Sequence, residues 1–439
     1  MSEGTSNEPR QPSERRRLFT TFSYLVGKQG ATAVLGLAYW VVASRLFLAR
    51  DVGLAAAASS VAYFLGAIGS LGIPILLLAE IESIEASRRR FVIATGNAIS
   101  CLVVLALAFA SLALAPVIGN SLIAIRDDPI TAVLLVVGSV AVMASANFDN
   151  AAIGLHRGSA QLFRGTGSSA LKLVMVGFLV LAGAKTSAGL MLAWALALVV
   201  MLVMCIPMLR LEPTPGGEGS FRKRKALARE YSTLSFKHYV LSLSINSISY
   251  IVPLTAALFV GPQQVAYFTA AFLLSATVLI IPYLLTLSLF AERSGDPGLL
   301  HRHVRRTLPL GLALCTAIVV VVEIGAPFVL RIFGPAYVEN GTTALRLLIL
   351  VGPSYVIKDH YVAIRRAQGR LTQAAKIMAL GTSAEAAGAA LGAALWGLTG
   401  LCIGWAIAAS CEALVLLPAL MQVYRRTAAV DPKPSETPQ

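Results

Sequence analysis

Twelve long apolar stretches constrain this chain more than any other feature of its sequence. A helix needs about 20 apolar residues to cross a hydrocarbon core of roughly 30 Å. The stretches lie at 22–44, 52–79, 91–115, 130–154, 166–184 and 188–209, and then at 238–260, 264–290, 307–333, 343–364, 375–396 and 398–422. We therefore expect an all-α integral membrane protein with about twelve transmembrane helices.

The composition agrees with a membrane protein and excludes several other classes. Of the 439 residues, 56% are hydrophobic and only 13% are charged, whereas an average soluble domain has about 25% charged residues. The net charge of +14 does not indicate nucleic acid binding, because the cations lie between the apolar stretches rather than in one patch. No segment alternates apolar and polar residues, which argues against a β-barrel.

The positions of Lys and Arg predict the orientation. With a cytoplasmic N-terminus, 27 of these residues fall in inner loops and tails and only 5 in outer loops, as is typical of membrane proteins. We therefore expect a multi-pass protein of the plasma or inner membrane with both termini in the cytoplasm. Its predicted parts are a disordered cytosolic tail (1–21), an N-terminal lobe (22–209), a basic cytosolic linker (210–237), a C-terminal lobe (238–424) and a second disordered tail (425–439).

The chain contains one internal repeat. Residues 189–207 (GLMLAWALALVVMLVMCIP) align without a gap with residues 400–418 (GLCIGWAIAASCEALVLLP), and Trp194 falls on Trp405. Each half has an even number of predicted helices, so both halves enter the membrane from the same side and the repeat is parallel. We expect two six-helix bundles with pseudo-two-fold symmetry around a central cavity that is suited to alternating access.

Three further segments carry a family resemblance. They are 46–74 (LFLARDVGLAAAASSVAYFLGAIGSLGIP), 258–290 (LFVGPQQVAYFTAAFLLSATVLIIPYLLTLSLF) and 332–376, which runs from IFGPAYVENGTTALRLLIL to AQGRLTQAAK. Their order and spacing cover nearly the whole chain. The chain thus resembles the Wzx-type O-antigen and polysaccharide flippases of the multidrug/oligosaccharidyl-lipid/polysaccharide (MOP) superfamily.

The resemblance implies a transporter rather than an enzyme. Such flippases turn undecaprenyl-pyrophosphate-linked oligosaccharides from the inner to the outer leaflet, often driven by a proton or sodium gradient. The family architecture, shared with MATE transporters, is a V-shaped bundle with a cationic lumen. We expect no catalytic residue, cofactor or metal site. The expected partners are the lipid-linked oligosaccharide, membrane lipids, a polysaccharide polymerase and glycosyltransferases.

Many relatives carry an acidic residue in the seventh helix, but residues 244–253 (SINSISYIVP) hold none, which argues against cation coupling through that helix.

Three lysines within the apolar stretches are candidate contacts of a pyrophosphate headgroup. A charge in the hydrocarbon core costs several kcal/mol unless it faces water or a partner. Lys28 lies six residues after the start of the first stretch, about 9 Å along a helix, and Lys172 and Lys358 are also predicted on the cytoplasmic side of their stretches. Such a lysine can replace the water around a phosphate. A lysine within an apolar stretch is equally well explained if its side chain snorkels towards the interface or pairs with an acid.

Four other polar residues are candidates for substrate contact or ion coupling. Asn246 and Tyr250 lie on a polar stripe of the seventh helix that could contact sugar hydroxyls, although helix packing also explains such a stripe. Asp149 and its repeat partner Asp359 are candidate proton or sodium sites. Both also fit as anchors for loop arginines such as Arg157.

Other functions are compatible with a chain of this kind. A multidrug/cation antiporter of the same superfamily favours carboxylates in its lumen, whereas an anionic lipid headgroup favours lysines. Lipid II flippases commonly have more spans. A membrane glycosyltransferase or polysaccharide polymerase usually presents its chemistry on a sizeable outer loop, and the outer loops here are short. No G-x-x-x-x-G-K-[ST] sequence is present, so hydrolysis of nucleotides through a P-loop is excluded.

Overall fold

The computed structural model describes residues 30, 32–212, 248–291 and 297–425, and nearly all of them are helical. Nine of the described helices are long and apolar enough to cross a membrane, and two shorter apolar helices accompany them. The protein is therefore a multi-pass, all-α membrane protein, as predicted. The helices are α1 (Thr32–Leu46), α2 (Ala49–Gly69), α3 (Ile73–Glu80), α4 (Ala86–Ala113), α5 (Ala115–Ile118), α6 (Asn120–Asp127), α7 (Pro129–Gly154), α8 (Gly158–Leu181), α9 (Ser187–Cys205), α10 (Ile248–Phe259), α11 (Pro262–Ala291), α12 (Pro297–Leu330), α13 (Pro335–Ile349), α14 (Gly352–Ala367) and α15 (Leu371–Arg425).

The last helix, α15, consists of two arms that fold back on each other. A straight helix of its 55 residues would measure about 80 Å, far more than a bilayer. Trp396 and Gly397 have non-helical backbone angles, and Gly397 has a φ of 59°, which glycine adopts without strain. A Cβ atom on Gly392 would lie 1.9 Å from the carbonyl oxygen of Gly400. The first arm (371–395) and the second arm (398–425) therefore touch backbone to backbone and cross the membrane twice.

The internal repeat is visible in the helix packing. In the N lobe (α1–α9), α2, α4 and α9 pack against α7; in the C lobe (α10–α15), α11, α12 and α15 pack against α13 and α14. Trp194 packs against Tyr63 of α2, with ring centroids 5.4 Å apart, and its repeat partner Trp405 packs against Phe272 of α11, the helix that corresponds to α2, at 6.3 Å. The two lobes are therefore equivalent six-helix bundles, as the sequence predicted.

The lobes contact each other where α2 and α6 meet α10 and α11. A Cβ atom on Gly53 would lie 1.6 Å from the carbonyl oxygen of Pro262, so the two backbones touch there. Arg45 of the N lobe donates a hydrogen bond of 2.8 Å to the carbonyl of Ile332 in the C lobe. These residues lie at the end predicted to face outside, and this end of the bundle is closed. The predicted linker and both tails lie almost wholly outside the described residues.

Candidate functional site

Helix α8 carries a row of polar side chains into the interior of the N lobe. Gln161, Arg164, Ser168 and Lys172 recur every three or four residues and are all buried, which places them on one side of the helix. The main neighbour of α8 is α9, and the burial of these four side chains shows that this side faces protein rather than lipid tails. Two cations and their partners are thereby brought within one membrane-embedded region.

Arg164 and Asp149 form a buried ion pair between α8 and α7. Nε of Arg164 lies 2.6 Å from Oδ1 of Asp149, and Nη2 lies 2.7 Å from Oδ2. This two-point geometry is the strong form of an arginine–carboxylate contact. The third nitrogen, Nη1 of Arg164, is buried and has no hydrogen-bond partner among the described residues. Asp149 thus pairs with a helix arginine and not with Arg157, which donates to the carbonyl of Met208.

Lys172 is a buried cation without a described carboxylate partner. Its side chain is 8% exposed, and no ion pair within the described part of the chain includes it. The ammonium lies 5.9 Å from the centroid of the Tyr39 ring, a distance at which a cation is attracted to the ring face. The hydroxyl of Tyr39 donates to the carbonyl of Leu190 over 3.0 Å, which fixes the ring.

Lys358 is paired with two acids, which is one of the alternatives that the sequence left open, and it is therefore not a free cation. Its ammonium pairs with Oε1 of Glu385 and lies 2.7 Å from Oε2 of Glu412. The ring of Tyr355 lies 4.7 Å from the same nitrogen. An unpaired lysine in this core would be costly, and helix α14 meets both arms of α15, which supply the two acids.

Asp359 and three tyrosines of the two lobes are only partly buried. Asp359 follows Lys358 on α14 and points about 100° away from it. It is half-buried, and no hydrogen bond or ion pair within the described residues involves it. Tyr63 of the N lobe and Tyr283 of the C lobe are 38% and 43% exposed, and Tyr250 of the C lobe is half-buried.

Comparisons with solved structures show which known proteins have a similar fold. The chain is similar to a multidrug resistance MATE family transporter in an inward-facing conformation, with a TM-score of 0.68 and 16% identity over 93% of this chain and 100% of that one. It is similar to the lipid II flippase MurJ in an inward closed conformation, with a TM-score of 0.69 and 11% identity over 93% and 91%. The fold is that of the MOP-superfamily transporters.

The likeness to these MOP-superfamily transporters is one of fold, because the identities are low. A MOP superfamily transporter from Pyrococcus furiosus aligns over 97% of this chain and 98% of its own, with a TM-score of 0.54 and 15% identity. No family model and no curated protein matches the chain. The neighbours named here are transporters or flippases and not enzymes.

The remaining predicted site residues are only partly placed. Lys28 and Asn246 lie outside the described residues, whereas Tyr250 is half-buried on α10. Within the described ranges, no cluster of His, Cys, Asp or Glu is suited to hold a metal ion. The sequence places Glu385 and Glu412 deep in the last two apolar stretches, where a protonated or hydrogen-bonded carboxylic acid is expected, and the structure makes both of them partners of Lys358. Their position deep inside apolar stretches was the only sequence signal that they pair with a cation.

Proposed function

We propose that this protein flips an undecaprenyl-pyrophosphate-linked oligosaccharide, the repeat unit of a polysaccharide or O antigen, from the inner to the outer leaflet. Transport would proceed by alternating access of the two lobes in the plasma or inner membrane, driven by a proton or sodium gradient, with both termini in the cytoplasm. The observation that carries the proposal is Lys172, a buried cation with no described acid to neutralise it. Such a group is a functional candidate in a membrane protein by default.

Arg164 supports the same substrate class. It lies two turns before Lys172 on the same side of α8, about 12 Å away along the helix, and within electrostatic range of it. Asp149 holds two of its nitrogens, and Nη1 remains a buried donor without an acceptor. An anionic headgroup that reaches this region replaces its lost water with the free donors of Arg164 and Lys172.

Aromatic hydroxyls support a sugar-bearing substrate. Tyr63, Tyr250 and Tyr283 belong to helices of both lobes, and each phenol can donate and accept a hydrogen bond. The aromatic ring and its hydroxyl together suit a ligand that has an apolar face and many hydroxyl groups. Glycosyltransferases that assemble the repeat unit and a polymerase that consumes it are the partners that this function requires.

The test is a complementation and flipping assay in a strain that lacks the gene. We expect lipid-linked repeat units to accumulate on the cytoplasmic side of the deletion strain. Lys172→Ala and Lys172→Glu should lower the flipping rate by about 100-fold, the cost of removing a desolvated anion contact, and Lys172→Arg should retain more activity. The matched control is Lys185→Ala, which removes an exposed lysine just beyond α8. Full activity of Lys172→Glu at normal protein level would refute the role of Lys172.

Asp359 favours a second candidate, a multidrug/cation antiporter. A half-buried carboxylate without a described partner attracts cations rather than phosphate. If the protein is such an antiporter, cells that express it should export a cationic dye, and Asp359→Asn should abolish the export. Export that depends on Asp359, together with a deletion strain that accumulates no lipid-linked sugar, would replace the flippase proposal. Accumulation of lipid II instead would identify a peptidoglycan flippase.

A further inference from the structure

Three ionisable side chains meet in the C lobe with unequal charge. One ammonium, that of Lys358, faces the carboxylates of Glu385 and Glu412. Glu385 is fully buried, and the other two side chains are less than a tenth exposed. No second cation lies within 4 Å of either carboxylate in the described part of the chain. With both glutamates ionised, the cluster would carry a net charge of −1 in a core that contains little water.

The buried charges of the N lobe differ from this cluster. Asp149, the repeat partner of Asp359, pairs with Arg164, and the same lobe holds a second buried cation, Lys172. Buried charges that lack a counter-charge are strongly disfavoured. Among the described residues, the C-lobe cluster is thus the one that lacks a positive charge.

Hydrogen bonds distinguish the two glutamates. Oε2 of Glu385 accepts from the Tyr355 hydroxyl at 3.1 Å and from Nε1 of Trp405 at 2.8 Å, and Oε1 accepts from Lys358. Neither oxygen of Glu412 has a hydrogen-bond partner of normal geometry, although Oε2 lies close to the Lys358 ammonium. Because donors stabilise an ionised carboxylate, Glu385 is the ionised member of the pair and Glu412 is left to take up a proton.

We propose that the cluster of Lys358, Glu385 and Glu412 is a proton-binding site and that Glu412 holds the proton. The proton comes from hydronium: one O–H bond of hydronium breaks, one forms on Glu412, and a water molecule is released. The cluster is then neutral. Lys358 already occupies the space between the two carboxylates, so the site takes up a proton and not a metal cation.

The position of the cluster links the proton to movement of helices. Lys358 belongs to α14, Glu385 to the first arm of α15 and Glu412 to its second arm. Protonation of Glu412 removes its attraction to Lys358 and so loosens the second arm from α14. This coupling to transport rests on the proposed function, but binding of the proton does not.

The other titratable groups around the cluster do not supply the missing positive charge. Asp359 is the next residue on α14 and adds negative charge, while Tyr355, which contacts Glu385 and Lys358, carries a neutral phenol. The ring of His360 is turned towards other partners, the carbonyl of Val356 at 2.8 Å and the hydroxyl of Thr307 at 3.1 Å. A proton from solvent is therefore the simplest way to neutralise the net negative charge of the cluster.

Infrared difference spectroscopy of the full-length protein in lipid nanodiscs tests the site without any substrate. We expect a carbonyl band of a protonated carboxylic acid at neutral pH that disappears at alkaline pH. Glu412→Gln should remove this band, and Glu323→Gln, a glutamate partly exposed on α12, should retain it. Lys358→Met should increase the band, because both glutamates then bind protons. A wild-type spectrum without the band, or a band that persists in Glu412→Gln, would overturn the proposal.

A flipping assay separates this site from the proposed function. In proteoliposomes with a pH gradient, Glu412→Gln should lose the dependence of transport on the gradient while Glu323→Gln retains it. Gradient-dependent transport by Glu412→Gln equal to the wild type would refute coupling through this site. A protein that shows the infrared band but moves no lipid-linked sugar would refute the function and leave the proton site standing.

Discussion

Gly53 and Pro262 bring the backbones of the two lobes into direct contact. A Cβ atom on Gly53 would lie 1.6 Å from the carbonyl oxygen of Pro262 and 3.2 Å from the amide nitrogen of Ala266. Neither neighbour is a flexible side-chain end, so a larger residue at position 53 cannot be accommodated without separating α2 from α11.

We predict that Gly53→Val opens this end of the bundle. The reaction of a cysteine at position 121 with a membrane-impermeant thiol reagent should increase several-fold, because Ser121 is fully buried against the other lobe. The control is Gly177→Val, where no atom lies within 4 Å of the added Cβ. Equal labelling in both variants would contradict a backbone contact that closes the lobes.

Breaking the ion pair of the N lobe should destabilise the protein strongly. Asp149→Asn leaves Arg164 as a buried, uncompensated cation, which costs about 3–5 kcal/mol. Thermal unfolding in detergent should show a clear drop in the midpoint. Asp128→Asn, which alters the exposed cap of α7, should cost about 1 kcal/mol or less. Asp149→Leu combined with Arg164→Leu should recover stability, and failure to do so would indicate that the pair is not the main contribution of Asp149.

The two parts of the Tyr39 side chain should have separable effects. Tyr39→Phe removes the hydrogen bond to Leu190 at a cost of about 1 kcal/mol but keeps the ring beside Lys172. Tyr39→Leu removes the ring as well, so Lys172 loses its described partner. We expect the flipping rate of Tyr39→Phe to stay near that of the wild type and that of Tyr39→Leu to fall. A fall of similar size in both variants would show that the ring does not position Lys172.

Gly381 should be needed for the charge cluster of the C lobe. A Cβ atom there would lie 2.0 Å from the carboxyl carbon of Glu412, so Gly381→Ala pushes this carboxylate away from Lys358. We expect a loss of about 1–3 kcal/mol, measured by thermal unfolding. Glu412→Asp in the same chain shortens the side chain and should restore part of the loss. Gly325→Ala, with open space around it, is the control.

The sequence was sufficient to predict the class and symmetry of the fold because both depend on patterns along the chain. Apolar length predicts the spans, and the alignment of Trp194 with Trp405 predicts two equivalent lobes. The boundaries were less certain. The fifth apolar stretch was predicted to begin at 166, but α8 begins at Gly158 and carries Arg164 into the core.

The partners of the charges could not be predicted, because they depend on which helix faces meet. Lys358 is 27 residues from Glu385 and is still farther from Glu412 along the chain. Helical periodicity gives the direction of each side chain relative to its own helix but not the rotation of one helix against another. The two arms of α15 were predicted as the separate stretches 375–396 and 398–422, but the stretches do not reveal which face of each arm meets α14.

Closure of the bundle at Gly53 and Pro262 also determines how an inhibitor could reach the cavity. In this conformation, a compound that arrives at the closed end meets packed backbone before it can approach Lys172. A blocking molecule would have to enter from the opposite face or sideways through the lipid phase. Membrane permeability, more than affinity alone, would then limit its potency in living cells.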